Sequence, residues 1–135
     1  MEILTFRSRF DYSRTANGID VPVILKGDEG RQVRLWAKLD TGASLCIFQR
    51  DYAEQLGIDV ETGGHAVVRT ATGRYDVYGH TLKLLCLDWE LDAKVYFAAP
   101  PEFSRNVLGR AGWLNRFRLG IVDHDAALYL SHYDD

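Results

Sequence analysis

Apolar and polar residues alternate along most of this chain in short runs, and glycine, aspartate or proline breaks one run from the next. In Val33-Arg34-Leu35-Trp36-Ala37-Lys38-Leu39 the alternation puts Leu35, Ala37 and Leu39 on one face. Trp36, Lys38 and the following Asp40 fall on the other, which is the two-residue period of a half-buried strand. The same pattern predicts strands over 19–25, 33–39, 45–48, 66–70, 75–87, 93–98, 106–108, 119–123 and 127–131. Lys26-Gly27-Asp28-Glu29-Gly30 reads as a hairpin connection between the first two of these. Helix is expected only over 50–56, with Gly57 as its C′ residue, and in a short turn after Gly109. The fold class that follows is all-β, with one or two short helices.

A chain of 135 residues is long enough for one core and too short for two of normal size. Residues 19–135 are therefore expected to form a single domain. Residues 1–18 are polar without a clear period, and two readings stay open for them: a frayed arm, or an edge strand that joins a dimer. Pro100-Pro101 ends the strand before residue 106, because proline supplies no ladder donor.

Candidate chemistry enters where the strand over 33–39 ends, at Asp40-Thr41-Gly42-Ala43-Ser44. A carboxylate at the tip of a rigid strand, followed by a small hydroxyl residue and a glycine, lets backbone and substrate come close to an acid. The tripeptide alone also reads as an ordinary turn. A second element adds to it: in Asn106-Val107-Leu108-Gly109-Arg110-Ala111-Gly112-Trp113-Leu114, two apolar residues and a glycine run into a helix-like segment. Between the two lie Leu45-Cys46-Ile47-Phe48, the short helix ending in Leu56-Gly57-Ile58, and a hairpin with Ala71-Thr72-Gly73 at its tip.

In this order, over roughly residues 19–130, these segments resemble the retropepsin-like aspartic proteases, in particular their small single-domain microbial members. The resemblance implies a closed β-barrel, the acid-protease half-fold, with the hairpin as a flap over a cleft. It implies Asp40, Thr41 and Gly42 as the catalytic loop, with Val107, Leu108, Gly109 and Arg110 as the crossing segment that supports it. Ala43, Ser44, Lys38 and the flap tip Ala71, Thr72 and Gly73 become the expected contacts to an extended peptide.

Such enzymes work with two carboxylates, and this chain has one Asp-Thr-Gly. Glu61-Thr62-Gly63 follows the helix without a strand to present it and reads as a turn. A homodimer is thus implied, each copy giving Asp40 to one shared site, with a peptide or protein as substrate and no cofactor. The alternative is a weak or inactive retropepsin-like dimer that binds peptides or assembles with partners.

Two positions depart from the family pattern. Lys38 stands where an apolar residue is usual, and three roles are open: stabilising ionised Asp40, biasing a subsite toward acidic residues, or snorkelling to solvent. Arg110 matches an arginine that in retroviral members pairs with an acid just after the catalytic loop, where this chain has Ser44. Asp11, Asp51, Asp134 and Asp135 are candidate substitutes, and the C-terminal hairpin over 119–130 is expected at or near the dimer interface.

The rest narrows the field. A net charge of −3 leaves no overall footprint for nucleic acid or anionic membrane, and Arg105, Arg110, Arg116 and Arg118 read as a solvated face plus one structural arginine. His65, His80, His124 and His132 share no metal-ligand spacing, so no metal site is expected. A Ser44-based triad lacks the Gly-x-Ser-x-Gly elbow. Cys46 and Cys86 lie in apolar runs far apart, which favours reduced, buried thiols. No run suits a signal peptide or a membrane span, and the expected location is the cytoplasm.

Overall fold

The alternating runs become strands in the computed structural model, which describes residues 1–15 and 17–135. Strands β1 (Ser8–Asp11), β2 (Asp20–Lys26), β3 (Gln32–Leu39) and β4 (Ile47–Phe48) precede the helix α1 (Arg50–Gln55). They are followed by β5 (Gly64–Thr70), β6 (Gly73–Cys86), β7 (Trp89–Ala98), β8 (Val107–Leu108), β9 (Phe117–Val122) and β10 (Ala127–His132). The chain is all-β, as the alternation predicts.

The larger sheet runs β2-β3-β8-β4-β7-β6-β5, and a further β2–β6 pairing closes it on itself. The closed ring removes the free edges that an open sheet would present. β6 makes this possible by its length, since Gly73 to Gly79 pair with β5 and Lys83 to Cys86 pair with β2. β5 is left as an appended strand with β6 as its sheet neighbour.

Inward residues follow the period of two. On β2 they are Val21, Val23 and Leu25, and on β3 Val33, Leu35 and Ala37, all buried. Trp113, Phe48, Phe97, Leu84, Leu108 and Leu128 are fully buried in the same core. Burial of side chains this large stabilises by roughly 1.5–3 kcal/mol each before the cost of ordering them. Cys46 and Cys86 belong to this core as free thiols, and burial pushes their pKa values up to about 11 and about 12. A smaller cluster of Ile47, Val77, Ala98 and Phe103 lies apart, with Ala66, Val68 and Tyr75 packed against it.

α1 ends where Gly57 takes φ 75°, a conformation that any Cβ would strain. Arg50, its first residue, grips Glu61 through Nη1 and Nη2 at 2.6 and 2.7 Å and also donates to the Ala99 carbonyl. Glu61 therefore serves as the anchor of a one-turn 3-10 segment, Val60–Thr62.

A second sheet, β1-β10-β9, packs at one end. β9 and β10 form the expected C-terminal hairpin, joined through Asp123–Asp125. β1 is an edge strand in the protomer's own sheet, pairing Ser8 with Leu130 and Asp11 with Ala127. Its pattern, Ser-Arg-Phe-Asp, holds one apolar residue, so the alternation signal is too short to announce a strand whose partner lies far along the chain. β7 starts at Trp89, four residues before the run that begins at 93, because Leu87 at φ 54° and Asp88 close a tight turn that carries the ladder to Cys86 and Trp89.

Candidate active site

Asp40 stands one residue past β3, and two strands fix its backbone. β8 runs parallel to β3 with Lys38 opposite Val107 and Leu39 opposite Leu108, and the Asp40 N–H donates to the Leu108 carbonyl at 3.0 Å. On its other side β8 pairs antiparallel with β4, Ile47 opposite Val107. The two apolar residues of β8 are thus wedged between the strand entering the Asp40 loop and the strand leaving it.

The loop itself is a tight turn. The Gly42 N–H donates to Asp40 Oδ1 at 2.9 Å and the Ala43 N–H to the Asp40 carbonyl at 3.2 Å. A carboxylate side chain that accepts from the amide two residues on is held in one orientation. Thr41 is exposed, and its hydroxyl has no hydrogen bond among the described residues.

The crossing beneath the loop depends on Gly109. A Cβ there would lie 2.2 Å from the Leu45 carbonyl oxygen and 2.8 Å from that of Ala43, so the backbones approach closer than any side chain allows. Two further bonds tie the crossing, Arg110 N–H to the Ala43 carbonyl at 2.8 Å and Ala111 N–H to the Ser44 carbonyl at 2.9 Å. Leu45 bridges to Ala111 without extending β4. Asn106 adds side-chain clamps, accepting from the Gln49 N–H at 3.1 Å and donating to the Trp36 carbonyl at 3.3 Å.

A cleft of about 420 Å³ opens beside this loop. Its floor carries Asp40, Gly42, Ala43 and Ser44, its apolar wall Leu45, Ile47, Phe103 and Val107, and its roof Val67 to Thr70 of β5 with the following Ala71. Thr70 pairs with Gly73, so the turn between β5 and β6 consists of Ala71 and Thr72. Hydroxyls of Thr70, Thr72 and Tyr75 are linked at 3.0 Å each, and Tyr75 stands edge-on to Phe103 with ring centroids 5.0 Å apart. The hairpin tip is in this way coupled to the wall of the cleft.

Of the residues singled out in the sequence, Asp40, Gly42, Ala43, Ser44, Ala71 and Val107 line this cleft together. Leu108 and Gly109 are buried under it, and Arg110 is exposed beside it. Thr41, Thr72 and Gly73 are exposed and lie outside its lining, as does the half-buried Lys38. The Lys38 ammonium donates to the Asn17 carbonyl, which ties it to the chain before β2.

Arg110 has no ion pair among the described residues. Asp11 is held by Arg9, Asp51 accepts from Gln55, Asp134 pairs with His132 and Asp135 with Arg7. Three of the four histidines are likewise engaged locally: His65 bonds Asp76, His80 bonds the Val60 carbonyl and His132 bonds Asp134. No group of three potential metal ligands occurs among the described residues. Nor is any helix among them long and apolar enough to cross a membrane.

Phe103, Arg105 and Arg69 are among the lining residues that the sequence did not single out for the site. Phe103 and Arg105 sit just before the Asn-Val-Leu-Gly run, which was a local signal for them. Arg69 reaches the cleft only because β5 folds over it.

The Aspartyl protease family profile matches residues 21–111. No curated protein gives a sequence match. Among solved structures the fold is similar to a retropepsin-like aspartic protease from Rickettsia conorii, at 20% identity and TM-score 0.64, covering 92% of this chain and 97% of that one. It is also similar to EIAV protease complexed with the inhibitor HBY-793, at 14% identity and TM-score 0.54, covering 73% of this chain and 86% of that one.

Proposed function

This chain belongs to the retropepsin-like aspartyl protease family, and from that premise we propose that it is an endopeptidase acting as a homodimer. The observation that carries the reading is the clamp on the Asp40 loop: its N–H bonded to Leu108, its Oδ1 bonded to the Gly42 N–H, and Gly109 packed against the loop backbone from below. A loop held at this many points presents its carboxylate with little freedom, as acid–base chemistry requires.

One protomer supplies one such carboxylate, so the reactive site forms when a second copy brings its own Asp40 across a twofold axis. Two carboxylates within a few ångströms do not both ionise cheaply, and one proton is shared between them. The ionised Asp40 takes a proton from a water lying between the pair, and that water attacks the scissile carbonyl. The protonated Asp40 donates to the carbonyl oxygen and the tetrahedral intermediate forms. Transfer of a proton to the amide nitrogen then breaks the C–N bond and releases an amine and a carboxylic acid.

Thr41, exposed at the loop, bonds across the axis in this arrangement, and Gly42 contacts the substrate backbone. The β5–β6 hairpin is the flap, closing over a peptide that lies extended along it and adds hydrogen bonds as a strand would. The two buried, reduced thiols suit a reducing compartment such as the cytoplasm.

The test is digestion of a mixed peptide library by the purified protein and its Asp40→Asn variant between pH 4 and 8. Cleavage that peaks on the acidic side, is inhibited by a pepstatin-type compound and falls at least about 100-fold in Asp40→Asn supports the reading. A folded dimer that binds peptides and does not cut them would instead return it to a binding module.

A further inference from the structure

The cleft beside Asp40 mixes apolar and polar lining, and its charged lining is lopsided. Asp40 is its one acid, and two arginines are part of the same lining: Arg69 from the hairpin and Arg105 from the segment leading into β8. Neither arginine makes an ion pair or a side-chain hydrogen bond among the described residues. The pairs that do form use Arg7, Arg9, Arg31, Arg50, Lys26 and Lys83. The chain as a whole is acidic, at −3, whereas the charged residues lining this cleft are two arginines and one acid.

A second observation concerns Arg69 on its own hairpin. In register it lies directly opposite Arg74. Like charges facing each other across a ladder are unfavourable in an isolated hairpin. The nearest acid along β6, Asp76, is already bonded to His65 at 2.8 Å and does not relieve the pair. An anionic group that reaches Arg69 would.

Arg105 is held differently. The Phe103 N–H donates to the Pro100 carbonyl at 3.2 Å, and the Phe103 ring is buried. Asn106 is clamped to Gln49 and Trp36. Anchors on either side of Arg105 restrict its backbone, which lowers the entropy lost when its side chain forms a fork-shaped bond to a carboxylate. Lys38, the cation that the strand alternation would aim at the substrate, is withdrawn to the Asn17 carbonyl.

We infer that the cleft selects peptides with an acidic side chain beside the bond to be cut, Arg105 being its seat on the wall and Arg69 closing on it from the hairpin. This rests on the protease reading of the same site and adds a substrate class to it. Arg105 and Arg69 act here as specificity-determining residues, binding the substrate and taking no part in proton transfer.

The experiment uses blocked octapeptides in which each position around the cut is in turn Glu, Gln or Lys. Cleavage is read as kcat/KM for the wild type, Arg105→Gln, Arg105→Glu and Arg69→Glu, with melting temperatures to show that each variant folds. In the wild type one position favours Glu over Gln by roughly tenfold at low salt, and the preference shrinks as salt is raised. The ratio collapses toward one in Arg105→Gln, turns toward Lys in Arg105→Glu and weakens in Arg69→Glu. A wild-type ratio near one at every position, or one that Arg105→Gln leaves unchanged, overturns the inference while cleavage itself upholds the protease reading.

If nothing is cut, binding of the same peptides to Asp40→Asn, read by calorimetry, gives the ratio instead. A Glu preference there that is lost on adding Arg105→Gln keeps the inference and sinks the protease. Equal affinity for the three sets sinks the inference.

Discussion

The Gly109 Cα and the Leu45 carbonyl pass so close that a single methyl group on Gly109 would sit 2.2 Å from the oxygen. This contact is where the segment leaving the Asp40 loop and the segment supporting it cross. Backbone atoms block the space on both sides, so nothing flexible can give way.

Gly109→Ala is therefore expected to cost about 3 kcal/mol or more, the upper range for overpacking a rigid site. Gly64→Ala is the control, because the nearest atom to its Cβ is the end of Lys94 at 3.9 Å, and a change within about 0.5 kcal/mol is expected. Urea unfolding of both variants reads the difference. Equal stability would mean that the crossing is looser than described.

The Arg50–Glu61 pair gives a pH signature. Its hydrogen bond to Arg50 holds the Glu61 carboxyl below the ordinary carboxylate range. A depressed folded-state value means that the pair's stabilisation is complete above the unfolded pKa of about 4.3 and is lost as pH falls through the lower folded value. Melting temperatures of the wild type and Glu61→Gln should differ at pH 7 and converge as the pH drops below about 4. A gap that stays constant down to pH 2 would contradict the assignment of Glu61 as a paired anion.

Burial raises both thiols, to about 11 for Cys46 and about 12 for Cys86, and neither is ionised at pH 8. A thiol that is neither ionised nor accessible does not attack a disulfide reagent. The native protein should thus be silent to Ellman's reagent at pH 8, and two thiols per chain should appear in denaturant. Rapid reaction of the native protein would show that the core opens far more readily than its packing suggests.

How much of this was legible beforehand depends on how local each signal is. The strand into Asp40 and the Val107-Leu108-Gly109 run are short patterns whose partners are set by alternation and by one glycine, and the structure joins them. Face alternation also put Lys38 beside Asp40, yet alternation says nothing about a neighbouring loop, and the Asn17 carbonyl takes the ammonium. Arg69 and Arg105 are 36 positions apart in the chain and meet at one cleft only through the fold of β5. β1 was open between arm and strand because the pairing that defines it, with β10, spans almost the whole chain.

The central claim is that two copies of Asp40 make one site, and a linked dimer tests it most directly. Two chains are joined by a flexible linker, and one, both or neither carries Asp40→Asn. If the carboxylates share a proton and a water, a single substitution should remove activity as completely as the double one, by at least about 100-fold against the unsubstituted pair. A singly substituted pair that keeps half the activity would mean that each Asp40 works alone, and the shared-site account would be wrong.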